Sequence, residues 1–317
     1  MNVRLEKSEW DTIECDALIV PMFEDEKIEE GLPSKIDSKL GGLLKELKST
    51  EEWRAKMGEI TIFYRPKGLR ASRLVLAGVG KKRMYNSYSI HQSIMQTVRQ
   101  INSYHLKRLA IYCRGGLETR LAAQATIEAA LIATYNADDY KTKDHSKNLV
   151  EEVIFASNKR LNGIKVQEAM NRGQILGEAT NLARKLANEP GNRISPSRLA
   201  EKSKDVATGC GLEIKILDEP EMKKMGMNTV LAVAEGSNEP ARFIILKHSG
   251  SQSNEDKPIV LVGKGVTFDS GGLSLKPPSS MEEMKLDKSG ACAVLAAMQA
   301  IAQLRIEKNV VGLIPAV

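Results

Sequence analysis

The stretch from Ile259 to Leu295 reads IVLVGKGVTFDSGGLSLKPPSSMEEMKLDKSGACAVL and is the most informative part of the sequence. It opens with an apolar run typical of a buried β-strand and leads into an alanine-rich segment, which predicts a helix over Ala291 to Leu304. Lys264 and Asp269 follow the strand, and the serine and two glycines after Asp269 permit a tight turn. Ligands of open α/β sheets usually bind at the carboxyl ends of strands, so we expect functional side chains here.

The charged side chains of this stretch can be read in two ways. Asp269 and Asp287 offer hard oxygen ligands for divalent metals, and Lys264 and Lys276 add cations or amine donors. Isolated Asp and Lys residues on loops are, however, mostly solvated. A lysine can bind a metal only as a neutral amine, which requires a strongly depressed pKa. Spacing alone therefore leaves both a solvated loop and a metal site open.

The rest of the chain predicts a layered α/β architecture in two domains. Helical periodicity alternates with short β-rich runs, which is typical of a parallel or mixed sheet covered by helices. Predicted strands cover residues 17–22, 73–77, 108–113, 149–157, 212–217, 242–247, 258–263 and 309–317. Predicted helices include 90–101, 121–135 and 164–188, and residues 137–147 are expected to form a surface loop. We place the boundary near residues 158–165, giving domains 1–160 and 161–317.

Two local signals mark helix starts in the second domain. Ser195 followed by Pro196 is a favoured N-cap and first helical residue. Asp218 and Glu221 have the spacing of a capping box before a short helix.

Composition excludes several protein classes. The chain has 317 residues, 42% hydrophobic and 27% charged, with a net charge of +6. These values are typical of a soluble globular protein, and a mild basic excess says little about partners. No run approaches the ~18–20 apolar residues of a membrane span, and the charged start is no secretory signal. The four cysteines are widely separated, which favours reduced, mostly buried thiols in a cytoplasmic protein.

The common catalytic and nucleotide-binding motifs are absent from the sequence. There is no G-x-x-x-x-G-K-[ST] loop, complete dinucleotide fingerprint, H-E-x-x-H helix or G-x-S-x-G elbow. Cys292, in the helix after the charged segment, is interpreted as a small buried thiol and not as a nucleophile. The basic run Lys81 to Arg83 is interpreted as a solvated loop, although it could touch nucleic acid.

The last residues, 309–317, form an apolar run with no turn or tail after it. We expect a bare terminal strand with an unpaired edge, which is unusual because such edges invite aggregation.

The stretch 259–295 as a whole closely resembles the signature of the cytosol (leucyl) aminopeptidase family of two-metal peptidases. Residues 188–192, NEPGN, resemble the family's segment leading into its catalytic domain, and parts of 226–240 resemble its next stretch. The resemblance covers about residues 165–317, whereas the first half agrees in layout more than in motif. It implies a macro-like N-terminal α/β domain followed by the first part of an α/β metallo-aminopeptidase catalytic domain.

The resemblance also implies roles for five residues. Lys264 matches the lysine ligand of one of two divalent metals (Mn or Zn), Asp269 the carboxylate that bridges both, and Asp287 a second ligand of the lysine-bound metal. Lys276 matches the catalytic lysine, which would polarise the scissile carbonyl and stabilise the oxyanion. Met284 matches a residue lining the pocket for the substrate's N-terminal side chain. The implied nucleophile is a metal-bridging hydroxide, and one metal would hold the substrate amine.

The sequence departs from the family in one respect. The family's N-T-D-A-E-G-R string, which supplies two further metal ligands and an arginine holding a bicarbonate base, does not occur here. We therefore expect a chain with an incomplete site at its C-terminal side.

The implied activity is the release of N-terminal, Leu-like residues from peptides by a cytoplasmic homo-oligomer, a hexamer in the family. The alternatives are a non-catalytic DNA-binding or assembly module, or an inactive remnant.

Overall fold

The computed structural model describes residues 1–138, 140–143, 150–158, 163–253 and 257–317. Contacts divide the chain into two units, Met1–Gly177 and Glu178–Val317, and the division falls within the helix Gly163–Asn188. The predicted boundary at 160/161 lies on residues outside the described ranges, so it stays a prediction.

Unit 1 alternates strands with helices. Its elements are β1 (Asn2–Glu6), β2 (Ala17–Met22), α1 (Gly31–Lys39), α2 (Leu43–Ser49), β3 (Ile60–Tyr64), β4 (Arg73–Gly78), α3 (Ser87–Ile101), β5 (Arg108–Tyr112), α4 (Thr119–Ala133), β6 (Glu152–Ala156) and the first part of α5 (Gly163–Asn188). The sheet has the order β1-β6-β5-β2-β4-β3. All neighbouring strands are parallel except β3, which runs antiparallel to β4. The predicted α/β class is confirmed.

The core of unit 1 lies on both faces of this sheet. β2 is buried along its whole length, and its side chains alternate between two clusters. Ala17 and Ile19 pack on the face covered by α3 and α4, whereas Leu18 and Val20 pack on the opposite face. A strand buried on both faces needs a continuous apolar run, which is what the sequence of β2 supplies.

Unit 2 contains a smaller sheet. Its elements are the remainder of α5, α6 (Pro196–Cys210), β7 (Glu213–Leu217), α7 (Glu219–Lys224), α8 (Asn228–Ala234), β8 (Arg242–His248), β9 (Ile259–Val262), α9 (Pro278–Met281), α10 (Ser289–Gln303) and β10 (Val310–Ala316). The strand order is β7-β8-β10-β9. Ile244 and Leu246 of β8 pack in a cluster with α6 and α10, and Phe243 and Ile245 pack in a second cluster with α7 and α8.

The expectation of an unpaired terminal strand is wrong. β10 pairs antiparallel with β8 on one side and parallel with β9 on the other, so it lies inside the sheet. Along β10 the even-numbered residues are buried and the odd-numbered residues are half-buried, because successive side chains point to opposite faces of the sheet. The edge strands of this sheet are β7 and β9, and on β9 Ile259, Val260 and Val262 are 54%, 50% and 69% exposed.

Most predicted elements occur within a few residues of their expected ends. The predicted capping box is confirmed, because Asp218 accepts a hydrogen bond from the Glu221 amide and Glu221 accepts one from the Asp218 amide. Ser195 is the N-cap of α6, but its side chain makes no capping bond. Parts of the expected loop 137–147, namely 139 and 144–147, and position 149 of the predicted strand 149–157 lie outside the described residues.

No helix within the described parts of the chain has both the length and the apolar character needed to cross a membrane.

Candidate active site

The end of β9 is held against the start of α10 by backbone contacts. The Ala291 amide donates a hydrogen bond of 2.8 Å to the Lys264 carbonyl. Gly263 lies so close to α10 that a Cβ atom there would come within 2.4 Å of the Gly290 carbonyl oxygen. The two glycines therefore allow the strand and the helix to approach closely, and this approach fixes where Lys264 leaves the backbone.

Lys264 and Asp287 form an ion pair beyond the end of β9. The Lys264 Nζ atom lies 2.8 Å from each carboxylate oxygen of Asp287, and it donates a hydrogen bond to Oδ1. The other oxygen, Oδ2, is buried and lies in ion-pair contact with the same ammonium, although the geometry of that contact is not that of a hydrogen bond. Both oxygens of Asp287 are therefore in contact with a cation.

Asp269 and Lys276 form a second pair in the loop that follows. The Lys276 Nζ atom donates a 2.7 Å hydrogen bond to Asp269 Oδ2, and the Gly271 amide donates one of 2.8 Å to Oδ1. Gly271 has a φ of +97°, which only glycine adopts readily, so the predicted tight turn is confirmed. The turn is closed by a 2.9 Å bond from the Lys276 amide to the Ser270 carbonyl.

The electrostatics connect the two pairs. The hydrogen bond from Lys276, the Gly271 amide and the positive charge of Lys264 together hold the pKa of Asp269 below its ordinary value. Asp269 is therefore an anion at neutral pH and is available as an oxygen ligand. The carboxylate lies between two lysines that come from opposite ends of the same loop.

Met284 completes the cluster on the other side of Lys276. Its sulfur lies 2.8 Å from the Lys276 Nζ atom, and its side chain is half-buried in a short 3-10 helix, Glu282–Leu286. The five residues singled out in the sequence thus form two side-chain groups, Lys264 with Asp287 and Lys276 with Asp269 and Met284. A 3.2 Å hydrogen bond from the Asp287 amide to the Met284 carbonyl joins the two groups. Among the described residues, no group of three or more His, Cys, Asp or Glu side chains could by itself hold a metal ion, so a lysine amine would have to contribute.

Lys288 is a buried charge that the sequence analysis missed. Its side chain is fully buried, and its ammonium donates hydrogen bonds to the backbone carbonyls of Glu189, at 2.6 Å, and of Lys285. Desolvation lowers the pKa of Lys288 below its ordinary value. Lys288 follows Asp287 directly, and its two hydrogen bonds connect the segment before Asp287 to the loop after α5. The only signal in the sequence is a lysine at the start of a helix of small apolar residues, where a cation opposes the helix dipole.

Cys292, in the first turn of α10, is 1% exposed, and burial raises its pKa to about 11. The interpretation of Cys292 as a small buried thiol is confirmed, whereas its lack of a nucleophilic role stays a prediction.

Comparison with known proteins identifies the family of the chain. Residues 19–144 match the N-terminal domain of the cytosol aminopeptidase family, and residues 181–317 match the catalytic domain of that family. Proteins named probable cytosol aminopeptidase from Alkaliphilus oremlandii and Solibacter usitatus are 34% and 35% identical to the chain over its whole length. The chain covers 64% and 63% of those two relatives.

Solved structures show the same fold. A mutant of tomato leucine aminopeptidase superposes with a TM-score of 0.85 at 24% identity, covering all of this chain and 62% of the tomato chain. The bottromycin maturation enzyme BotP, solved in complex with Mn, gives a TM-score of 0.76 at 26% identity, covering 95% of this chain and 59% of BotP.

The two matched domains and the N-terminal and catalytic layout define a peptidase fold of the α/β class. The chain belongs to the cytosol aminopeptidase family. It spans a little under two thirds of the length of the relatives it matches.

Proposed function

We propose that this chain carries part of the catalytic site of a metal-dependent aminopeptidase, which removes N-terminal, Leu-like residues from peptides. The observation that carries the proposal is a cluster of two side-chain groups, Lys264 with Asp287 and Lys276 with Asp269 and Met284, joined by a backbone hydrogen bond between Asp287 and Met284. Membership of the cytosol aminopeptidase family supports the reaction class.

Two divalent ions, Mn or Zn, would be held by three of these residues. Lys264 and Asp287 would bind one ion, and Asp269 would contact both. The donor set fits, because carboxylate oxygens suit divalent cations and Asp287 already holds a cation, the Lys264 ammonium, against both of its oxygens. BotP, whose structure contains Mn, supports this assignment by similarity. Bound metals supply Lewis-acid polarisation and lower the pKa of water.

Lys276 would act directly on the substrate. The Lys276 side chain is 28% exposed, and its ammonium contacts both the carboxylate of Asp269 and the sulfur of Met284. A fixed cation at this point would polarise the scissile carbonyl and stabilise the negative charge that develops on its oxygen. The hydrogen bond to Asp269 keeps the flexible lysine side chain in place before substrate binds.

Met284 would line the pocket for the substrate's N-terminal side chain. An unbranched thioether adapts to aliphatic groups of different shapes, which fits a preference for Leu-like residues without strict selection.

The site of this chain would be incomplete by itself. The family's N-T-D-A-E-G-R string, with its two metal ligands and its arginine, does not occur in the 317 residues. We therefore expect these residues to bind metal weakly and to hydrolyse peptides only when that segment is supplied.

The test is hydrolysis of leucine p-nitroanilide, with and without Mn²⁺ or Zn²⁺. The 317-residue chain is assayed alone and fused to the downstream segment of the Solibacter usitatus relative. We expect no activity alone and metal-dependent activity in the fusion, reduced about 10²–10³-fold by Lys276→Ala because one preorganised charge is lost.

Lys285→Ala is the matched control, since it removes a nearby lysine side chain outside the cluster, and it should keep the activity. Activity of the 317 residues alone would refute the incomplete site. A fusion that has no peptidase activity but binds DNA with salt-dependent affinity would favour the alternative of a DNA-binding module.

Location and assembly are proposed on the same family resemblance. The protein would act in the cytoplasm on peptides and would self-associate, as hexamers in the family. Light scattering coupled to gel filtration of the fusion tests this, and a monomer at micromolar concentration would contradict it.

A further inference from the structure

Unit 1 contains a cavity between α3 and α4 that the proposed peptidase function does not use. Its volume is about 250 Å³, and its lining residues belong to these two helices. Four polar side chains line it, in two pairs that are each one helical turn apart, Ser87 and His91 on α3 and Gln124 and Glu128 on α4. Residues at this spacing are neighbours on one face of a helix, so each helix presents two polar groups to the cavity.

His91 and Glu128 bring an imidazole and a carboxylate close together in this cavity. The His91 Nε2 atom lies 4.0 Å from the Glu128 Oε1 atom, which is too far for a hydrogen bond. Within the described parts of the chain, neither side chain forms a hydrogen bond with any other residue. The two side chains are 21% and 24% exposed and line the cavity, so a ligand inside it can reach both.

The carboxylate of Glu128 is poorly solvated for a charged group. Burial raises its pKa above the ordinary value, and nearby His91 opposes this shift without cancelling it. A half-buried carboxylate without a hydrogen-bond donor is costly, and a bound cation would offset that cost. No lysine or arginine is among the described residues that line the cavity, so no protein cation competes for the carboxylate.

The separation of the two ligand atoms suits a shared metal ion. Imidazole nitrogen and carboxylate oxygen bind Zn²⁺ at about 2.1 Å, so in a tetrahedral complex the two atoms are about 3.4 Å apart. The observed 4.0 Å exceeds this by about 0.6 Å, which a small rotation of the flexible Glu128 side chain removes. Gln124, one turn before Glu128, offers an amide oxygen as a third ligand, and water would complete the coordination.

The helices that carry these side chains are fixed by the core of unit 1. Ile90 and Ile94 of α3 and Ile127 of α4 are buried in the same hydrophobic cluster. Because these residues lie next to His91 and Glu128 along the two helices, the ligands are held on rigid elements before a metal binds. Ligands on rigid helices hold a metal more precisely than ligands on loops.

From this arrangement we propose that the cavity between α3 and α4 binds one divalent transition-metal ion, represented by Zn²⁺, through His91 and Glu128. The bound ion would connect the two helices, with the Gln124 amide oxygen as a further ligand. Imidazole suits Zn²⁺, Ni²⁺ and Cu²⁺, whereas Mg²⁺ and Ca²⁺ prefer oxygen ligands. The assignment does not depend on the peptidase activity proposed for unit 2.

The test is isothermal titration calorimetry with Zn²⁺ of the 317-residue chain carrying Asp269→Asn and Asp287→Asn. These two substitutions remove the carboxylates proposed to bind metal in unit 2. We expect saturable binding that His91→Gln and Glu128→Gln each weaken about tenfold or more, because each variant loses a ligand of the ion. Mg²⁺, titrated in the same way, should bind much more weakly than Zn²⁺.

Two matched controls change exposed residues of unit 1 outside the cavity lining. His105→Asn and Glu52→Gln should leave Zn²⁺ binding unchanged. Asparagine replaces His105 because the backbone there is left-handed, with a φ of +54°, which asparagine tolerates. Urea unfolding checks that all variants keep the fold. Zn²⁺ should raise the urea midpoint of the parent chain but not that of His91→Gln.

Three results would overturn the proposal. The first is the absence of saturable Zn²⁺ binding by the chain carrying Asp269→Asn and Asp287→Asn. If the unmodified chain still binds Zn²⁺, that result places the metal in unit 2, which supports the peptidase proposal while refuting this one. The second is a loss of affinity in His91→Gln no larger than that in His105→Asn, which would indicate adventitious binding to surface histidines. The third is Mg²⁺ binding as tight as that of Zn²⁺, which would exclude an imidazole ligand.

Discussion

β2 and β9 are both uninterrupted apolar runs in parallel pairings, yet their surroundings differ completely. The aliphatic side chains of β2, from Ala17 to Val20, are 0% exposed, whereas Ile259, Val260 and Val262 of β9 are at least 50% exposed. β2 lies between β5 and β4 and is covered on both faces, while β9 pairs only with β10. An apolar run thus predicts a strand, but the neighbours of that strand decide whether it is buried.

The buried strands of unit 1 contribute stability, whereas the residues that follow the exposed strand β9 carry the charged side chains of the candidate site. The interior of unit 1 has the composition of a packed core, and charged residues on its strands, such as Arg4 and Glu152, pair with one another. At β9 the strand ends in an open region where two ion pairs, Lys264 with Asp287 and Lys276 with Asp269, meet solvent. Substitutions inside the covered region should therefore lower the free energy of unfolding more than substitutions at the open edge.

The largest effect is expected inside the covered sheet. Leu18→Ala removes a fully buried side chain from the centre of β2 and leaves a cavity, so we expect a loss of about 2–5 kcal/mol in the free energy of unfolding. Urea denaturation followed by circular dichroism measures it. A loss below about 0.5 kcal/mol would show that β2 is not a packed central strand.

A smaller loss is expected from Lys288→Met. The substitution keeps an unbranched chain of similar length but leaves the carbonyls of Glu189 and Lys285 without their donor, which costs about 1–3 kcal/mol. Lys285→Met is the matched control, because it leaves the Lys285 carbonyl in place. If Lys288→Met proves as stable as the control, the buried ammonium contributes nothing to the segment before Asp287.

A substitution on the exposed edge strand β9 should hardly change the free energy of unfolding. Val260→Thr exchanges one β-branched side chain for another on β9 at a half-exposed position, so the free energy of unfolding should change by less than about 0.5 kcal/mol. The same denaturation experiment provides the comparison with Leu18→Ala. A loss as large as that of Leu18→Ala would mean that β9 is covered in solution.

The smallest effect is a pH dependence in unit 1. Burial raises the pKa of Glu128 above 4.5, and nearby His91 opposes this shift. Because the folded chain then binds this proton more tightly than the unfolded chain, stability falls as pH rises from 4.5 through the folded pKa. Glu128→Gln should flatten this part of the stability curve. An unchanged slope in the variant would assign the pH dependence to another group.

Local features were predictable from the sequence, whereas pairing was not. The capping box of Asp218 and Glu221 depends on residues three apart, so its pattern is readable directly. The place of β10 inside the sheet depends on its pairing with β8 and β9, which lie far away along the chain. The sequence of β10 alone does not show these pairings, and we therefore expected an unpaired terminal strand.

In the candidate site, too, the residues of one local segment were predictable, whereas a contact between distant segments was not. Its five residues were found because they lie in one continuous segment with a recognisable family signature. Lys288 lies in that segment too, but lysines are almost never buried, so composition argued against it. Its burial arises from packing against the loop after α5, which contributes Glu189 from a distant part of the sequence.

Direct titration of Mn²⁺ into the 317-residue chain by calorimetry tests the central claim, that Lys264, Asp269 and Asp287 hold divalent metal. The account predicts saturable binding that Asp269→Asn and Asp287→Asn each weaken about tenfold or more. Asp205→Asn, an exposed ion-paired aspartate on α6, should have no effect. Binding that is equally strong in all three variants, or no binding by the unmodified chain, would contradict it.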